Sequence, residues 1–201
     1  MSVLLFGYSP FLEFDENPSQ LVAEKLDGQK IRDNEIKSII LPVDYSKVEN
    51  LILDAINKYD PALIIGLGLA PGRSKITVEK IAINYIHSDV ADNAGNSLNG
   101  ELIDMDQSDG IFSTLPVELI CKRLNSEGIP SSISLSAGGY LCNYAMFIIA
   151  REAKKLGIKG GFIHIPCHDG FISKNPKKEY PSMDLNMIFN AIKLAIDTSL
   201  Q

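Results

Sequence analysis

Apolar residues run almost without a break from Val3 to Phe6 and stop at Gly7, the pattern of a strand covered on both faces. Asn17-Pro18-Ser19 has the form of a helix start, an N-cap followed by proline, and the helix extends to about Asp27 before Gly28. A second apolar run at 36–43 predicts a strand. Ser46 and Glu49 have capping-box spacing, and Val48, Leu51, Ile52, Ala55 and Ile56 form one apolar stripe of a helix ending near Tyr59. Pro61 separates that helix from a third strand, Ala62 to Gly66. Strand, helix, strand, helix, strand predicts a mostly parallel sheet with helices on both faces.

The pattern then changes. Residues 74–86 alternate as a strand, but Ile76 and Val78 share one parity while Ile81, Ile83 and Tyr85 share the other. A slip at Glu79-Lys80 predicts a β-bulge, which would aim Glu79 away from the regular alternation; an ordinary solvent-facing carboxylate on an edge strand fits equally well. Residues 87–110 are rich in Asp, Asn, Gly and Ser, the composition of a lid, a subunit contact or a disordered connection. A helix at 115–126 carries Cys121 on its core stripe. Between 130 and 150 a short strand ends at Ser136, Ala137-Gly138-Gly139 make a tight turn, and from Tyr140 the apolar spacing is helical as far as Gly157. A core strand at 161–165 stops at Pro166, and Ser182 caps a last helix through about Leu200.

Composition narrows the class. With 201 residues, 45% of them apolar, and no compositional break, the chain is expected to fold as one domain. The N-terminus lacks a basic leader, and no apolar run approaches the roughly 20 residues that span a bilayer. A net charge of −6 without a basic cluster argues against nucleic acid as a partner. Three scattered cysteines, Cys121, Cys142 and Cys167, suit neither a disulfide framework nor a metal site, so a reducing cytoplasm fits best.

Cys142 falls in the first turn of its helix, where unpaired amides and the helix dipole favour an anion, so a lowered thiol pKa and a reactive thiolate are expected. Strand, helix and strand from 130 to 165 suggest a crossover that brings Cys142 and His164 to the same rim of the sheet. His164 is then the candidate general base and Glu79 the candidate to orient it. Plain core packing also accounts for a lone cysteine on an apolar helix and for a half-buried histidine, so both readings stand at this point. His168 competes as base but is expected to be solvent-exposed beside Cys167 and Asp169; His87 has no evident partner. The loop at 66–73 is glycine-rich, but no GKS or GKT follows and the next segment is not helical, so it is a weak phosphate signal.

FGYSPFLEFDENPS at the start, GLAPGRSKITVEKIAIN, SLSAGGYLCN around the thiol and GFIHIP at the histidine occur in order along nearly the whole chain. With these motifs the sequence resembles pyroglutamyl peptidase type I, a family of cysteine peptidases. The resemblance implies an α/β/α sandwich with a twisted, mostly parallel (mixed) sheet, a homotetramer, and no metal or cofactor. It implies Cys142 as nucleophile, His164 as general acid/base and Glu79 as the orienting carboxylate, acting on peptides that begin with 5-oxoproline. Phe11 stands at the family's pocket position; Tyr8 and Phe14 join it as apolar walls, and the backbone around Leu69 supplies polar contacts to the lactam. The chain departs from the family at Gly139, usually threonine, at Pro71, usually glycine, at Val90, often arginine, and at Leu12-Glu13, often two glycines. Two rival classes remain: a nucleoside-phosphorylase-like enzyme using Arg73 on phosphate, and a silent binding protein with Cys142 in its core.

Overall fold

The computed structural model describes residues 1–12 and 14–201; Glu13, noted above with Leu12, lies outside the described residues. The chain opens with β1 (Ser2–Tyr8), α1 (Pro18–Leu26), β2 (Lys30–Ile31), β3 (Asn34–Leu41), α2 (Tyr45–Tyr59) and β4 (Pro61–Leu69). Four shorter strands follow, β5 (Ile76–Glu79), β6 (Ile81–Ile83), β7 (Ile86–His87) and β8 (Asn99–Glu101), then β9 (Gly110–Phe112), α3 (Val117–Ser126) and β10 (Ser131–Ser134). The C-terminal part contains α4 (Leu141–Leu156), β11 (Lys159–Ile165), β12 (Cys167–His168), α5 (Asp169–Lys174), β13 (Ser182–Met183) and α6 (Leu185–Ser199).

Seven strands form one sheet in the order β10, β5, β11, β4, β1, β3, β2. Strands β11, β4, β1 and β3 are parallel, while β5 runs antiparallel to β11 and β10 follows β5. The sheet is therefore mixed and mostly parallel, as the resemblance implied. Alternate residues of the central strands enter two cores. Val3, Leu5, Leu63, Ile65 and Leu67 pack with α1, α3 and α6, whereas Leu4, Phe6, Ile64 and Phe162 pack with α2 and α4. Burial on both faces is why these strands read as continuous apolar runs. Each fully buried large side chain, such as Phe147 or Phe162, contributes about 2–3 kcal/mol.

The structure corrects several expectations. The parity switch at Glu79-Lys80 is not a bulge: β5 ends at Glu79, and β6 leaves the main sheet to pair with β9. Strand β10 ends at Ser134, runs antiparallel to β11 and is separated from it by β5, so the 130–165 segment is not a crossover between parallel neighbours. Gly66 to Leu69 belong to β4, which leaves only 70–75 as loop. Two helix starts move, because the capping residues are Asp44 and Asp184, not Ser46 and Ser182: Asp44 accepts from the Ser46 amide and Asp184 from the Met187 amide. Carboxylates accept such bonds strongly at the positive end of a helix. Among the described residues no helix is long and apolar enough to cross a membrane.

Candidate active site

Glu79 and His164 come from adjacent strands of the mixed sheet. His164 pairs in register with Thr77, and Glu79 follows two residues later on the same face. His164 Nδ1 is 2.8 Å from Glu79 Oε1, with both side chains buried and the Phe162 ring tilted against the imidazole at 5.1 Å between centroids. Burial pushes the Glu79 carboxyl up, but its bond from His164, with help from Ser134 and Arg73, holds it below the usual carboxylate value. An ionised Glu79 accepts a hydrogen bond from Nδ1–H of a neutral imidazole, which leaves Nε2 free to act as base. Burial is also the main reason the His164 pKa is lowered; Glu79 opposes that shift and Arg73 assists it.

Cys142 sits above this pair in the first turn of α4. A Cβ placed on Gly68, the register neighbour of His164, would lie 2.8 Å from Cys142 Sγ and 2.8 Å from the Phe162 ring. Glycine on that face of β4 makes room for the sulfur and the ring. The turn before α4 uses Gly138 at φ +84° and packs Gly139 directly on the His87 carbonyl, where any side chain would collide. That contact accounts for glycine where the family usually has threonine. The helix has no side-chain cap at Tyr140, and its first internal bond is Tyr144 N to Tyr140 O, so the preceding amides face outward from the helix start as anion donors.

The expected lowering of the Cys142 pKa is overturned. The residue keeps some surface open to the pocket, but protein atoms crowd the sulfur, and burial pushes the thiol up to about 12. Glu79 adds to the rise and Arg73 opposes it. Both shifts favour the uncharged forms, the thiol and the neutral imidazole.

Arg73, considered from sequence only as a phosphate ligand, belongs to this network. Its Nη1 donates to Thr77 Oγ1 at 2.6 Å and to Glu79 Oε1 at 2.5 Å, and Nη2 donates to Ser136 O at 2.9 Å. The available signal was the pair of polar residues, Thr77 and Glu79, on one face of an otherwise buried strand; such a face needs a donor.

A small open pocket ends at Cys142 and is lined by Tyr8, Phe11, Asn17, Val43, Leu69, Tyr140 and Leu141. No lining residue is charged. Tyr8, Phe11 and Leu69 thus meet the thiol as expected, whereas Phe14 stands behind Phe11, 5.6 Å between ring centroids, and packs on Phe171 and Tyr180. The amide after Leu69 donates to Ile165 O and is not open to a ligand. Asn17, Val43, Tyr140 and Leu141 were missed as lining because they come from three separate parts of the chain, before α1, after β3 and at the start of α4. The polar 87–110 segment frames the pocket: His87 N donates to Gly139 O, Tyr140 Oη to Ala91 O, and Asn93 bonds both Val43 O and Pro10 O.

His168 is not exposed. It is buried with Nε2 3.0 Å from Glu16 Oε1, a charge contact without hydrogen-bond alignment, in β12, where Cys167 packs against Phe14, Leu69 and Phe171. His87 approaches Asn99 Oδ1 at 2.5 Å, so it does have a partner, and it is surface-exposed. Cys121 lies in the core as expected, with its thiol pKa raised by burial. Among the described residues no group of three or more His, Cys, Asp or Glu could hold a metal ion.

The sequence profile of the family described as pyroglutamyl peptidase matches residues 1–201. A pyrrolidone-carboxylate peptidase of Saccharolobus islandicus is 52% identical over 197 residues, covering 98% of this chain and 94% of the relative. One from Pyrococcus furiosus is 38% identical over 205 residues, covering 100% and 99%. Among solved structures, a mutant pyrrolidone carboxyl peptidase from Pyrococcus furiosus superposes with a TM-score of 0.95 at 38% identity, covering 100% of this chain and 98% of that one. The pyrrolidone carboxyl peptidase of Thermococcus litoralis gives 0.94 at 37% identity, covering 99% and 93%. Matched from end to end in both sequence and fold, the chain belongs to the pyroglutamyl peptidase family.

Proposed function

We propose that the protein is a cysteine peptidase that removes an N-terminal 5-oxoprolyl residue from peptides, with Cys142, His164 and Glu79 as its catalytic groups. The observation that carries this reading is the buried His164 and Glu79 pair beneath a cysteine that closes an uncharged pocket. A 5-oxoproline ring has neither ammonium nor carboxylate, so a pocket of Tyr8, Phe11, Val43 and Leu69 suits it, while a free N-terminal amine would be desolvated there without a counter-ion.

Because both partners start neutral, the thiol proton passes to His164 Nε2 as Sγ attacks the carbonyl that follows the lactam ring. Glu79 stabilises the imidazolium that forms. The oxyanion faces the amides at the start of α4. His164 then returns its proton to the leaving amine, the peptide departs, and water attacks the thioester with His164 again as base. The resemblance further suggests a cytoplasmic homotetramer, which light scattering coupled to size exclusion checks directly. Arg73 is engaged by Glu79, Thr77 and Ser136, which weighs against its use on the phosphate of a nucleoside substrate.

The test is hydrolysis of a pyroglutamyl coumarin amide beside its prolyl analogue, by wild type and Cys142→Ala. Wild-type turnover of the first substrate alone, abolished in the variant, is the expected result. Equal turnover of both substrates, or an active variant, would remove the reading.

A further inference from the structure

We propose that Arg73 is a positioning residue of the reaction, a fourth member of the catalytic group that locks Glu79 to the turn presenting Cys142. This deepens the peptidase reading and rests on it. Three observations converge on the guanidinium. One nitrogen reaches Glu79 Oε1, the same oxygen that faces His164 Nδ1. The same nitrogen reaches Thr77 Oγ1, whose backbone is the register partner of His164. The other holds the Ser136 carbonyl, two residues before the Gly138-Gly139 turn that leads into α4. One planar fork therefore joins the base's carboxylate, the strand beside the base, and the loop that carries the nucleophile, a task for which an ammonium lacks the geometry.

Glu79 Oε2 is buried without a hydrogen bond, so the carboxylate depends on Oε1 for its partners. A carboxylate with no exposed surface needs hydrogen-bond donors and a neighbouring positive charge to stay ionised; His164 is its first donor, and burial lowers the pKa of that imidazole. Arg73 is the cation in contact. Other groups face the sulfur as well: the phenols of Tyr8 on β1, Tyr45 on α2, and Tyr140 just before α4. Burial raises all three above the ordinary phenol value, so they stay neutral over the range in which the imidazole titrates. Near the reacting pair, the fixed charges are Glu79 and Arg73.

The sign of the effect follows. Arg73 lowers both the His164 and Cys142 pKa values, so its removal raises both. In Arg73→Met, kcat should fall roughly 10²-fold with KM within about twofold, because the lost contact serves proton transfer and not ring binding. The acid limb of kcat/KM and the pH limb of iodoacetamide alkylation at Cys142, measured with Cys121→Ser and Cys167→Ser in the background, should both move to higher pH. Arg73→Lys should keep the limbs nearer wild type while recovering only part of kcat. Unchanged kcat, or a loss of kcat with both limbs unmoved, would overturn the proposal. If circular dichroism shows that Arg73→Met does not fold, Thr77→Val, which removes one anchor of the guanidinium, carries the same test, and limbs that stay in place overturn it. Wild-type failure on the pyroglutamyl substrate would sink the peptidase reading alone, since the alkylation limbs still report on Arg73.

Discussion

At Cys142 two influences compete: amides at a helix start that favour a thiolate, and crowding protein atoms that favour the thiol. Crowding prevails and raises the pKa to about 12. Alkylation of free enzyme should therefore be slow at pH 7 and still increasing above pH 9, whereas an ordinary thiol levels off near its reference of about 8.5. Flat, fast alkylation from pH 6 upward would show a preformed thiolate. His164 shifts downward, so the acid limb of kcat/KM should lie below the reference histidine value of about 6.5. The two histidines separate cleanly. His164→Ala should lose at least about 10²-fold in kcat, the scale of general acid–base catalysis. His168→Ala should act mainly on stability, because its ring contacts Glu16 and not the thiol. Cys121→Ser should keep turnover and lower the melting temperature, since its sulfur is packed in the core with Val117, Ile120 and Leu124.

At the scale of elements, the site depends on where β4 and α4 touch. Gly66 and Gly68 leave one face of β4 bare, and Phe162 from β11 and Cys142 from α4 fill the space. Gly68→Ala should fold with a loss of about 1–3 kcal/mol from overpacking and should cut kcat more than KM, because its methyl displaces the sulfur. Stability from urea unfolding and steady-state kinetics read the two effects apart; undiminished kcat would mean that the sulfur has room to move. Restoring the family's threonine at Gly139 should be unfavourable here, since its side chain meets the His87 backbone. These glycines stand out in sequence. Their partners do not, because a glycine records that something approaches and not what approaches.

Across the whole molecule, α4 holds both the polar 87–110 segment and the strand that leads into it. Arg151 on α4 binds Glu49 on α2 at 2.8 Å, Asp104 at 3.0 Å and Glu152 at 2.8 Å, and Asn143 bonds the backbone of Ile83 and Tyr85. Arg151→Met should remove about 2 kcal/mol, the scale of a hydrogen bond to a charged group, while leaving KM within twofold. For a chain of this length that is a fall of roughly 4–8 °C in Tm, readable by calorimetry. An unchanged Tm would make the cluster a surface feature without structural weight.

Much was legible before any coordinates. Hydrophobic period together with start and stop residues located the five long helices, because apolar stripes, caps and breakers are local properties of consecutive residues. The long strands were legible for the same reason, and four ordered motifs pointed to Cys142, His164 and Glu79. Strand direction was not legible. Reversal of β5 and β10 depends on which edges pair, and the 130–165 segment gave a plausible but wrong crossover, although Cys142 and His164 still lie close to one another across Gly68. The sequence alone determined the class of fold and the family, and it singled out Cys142, His164 and Glu79 as candidates, since patterning and motif order are written in neighbouring residues. Only the tertiary structure decided the neutral state of the thiol, the burial of His168, the walls of the pocket and the place of Arg73. Each of those is set by burial and by charges contributed from strands and loops far apart in the chain, and neither can be summed until the chain has folded.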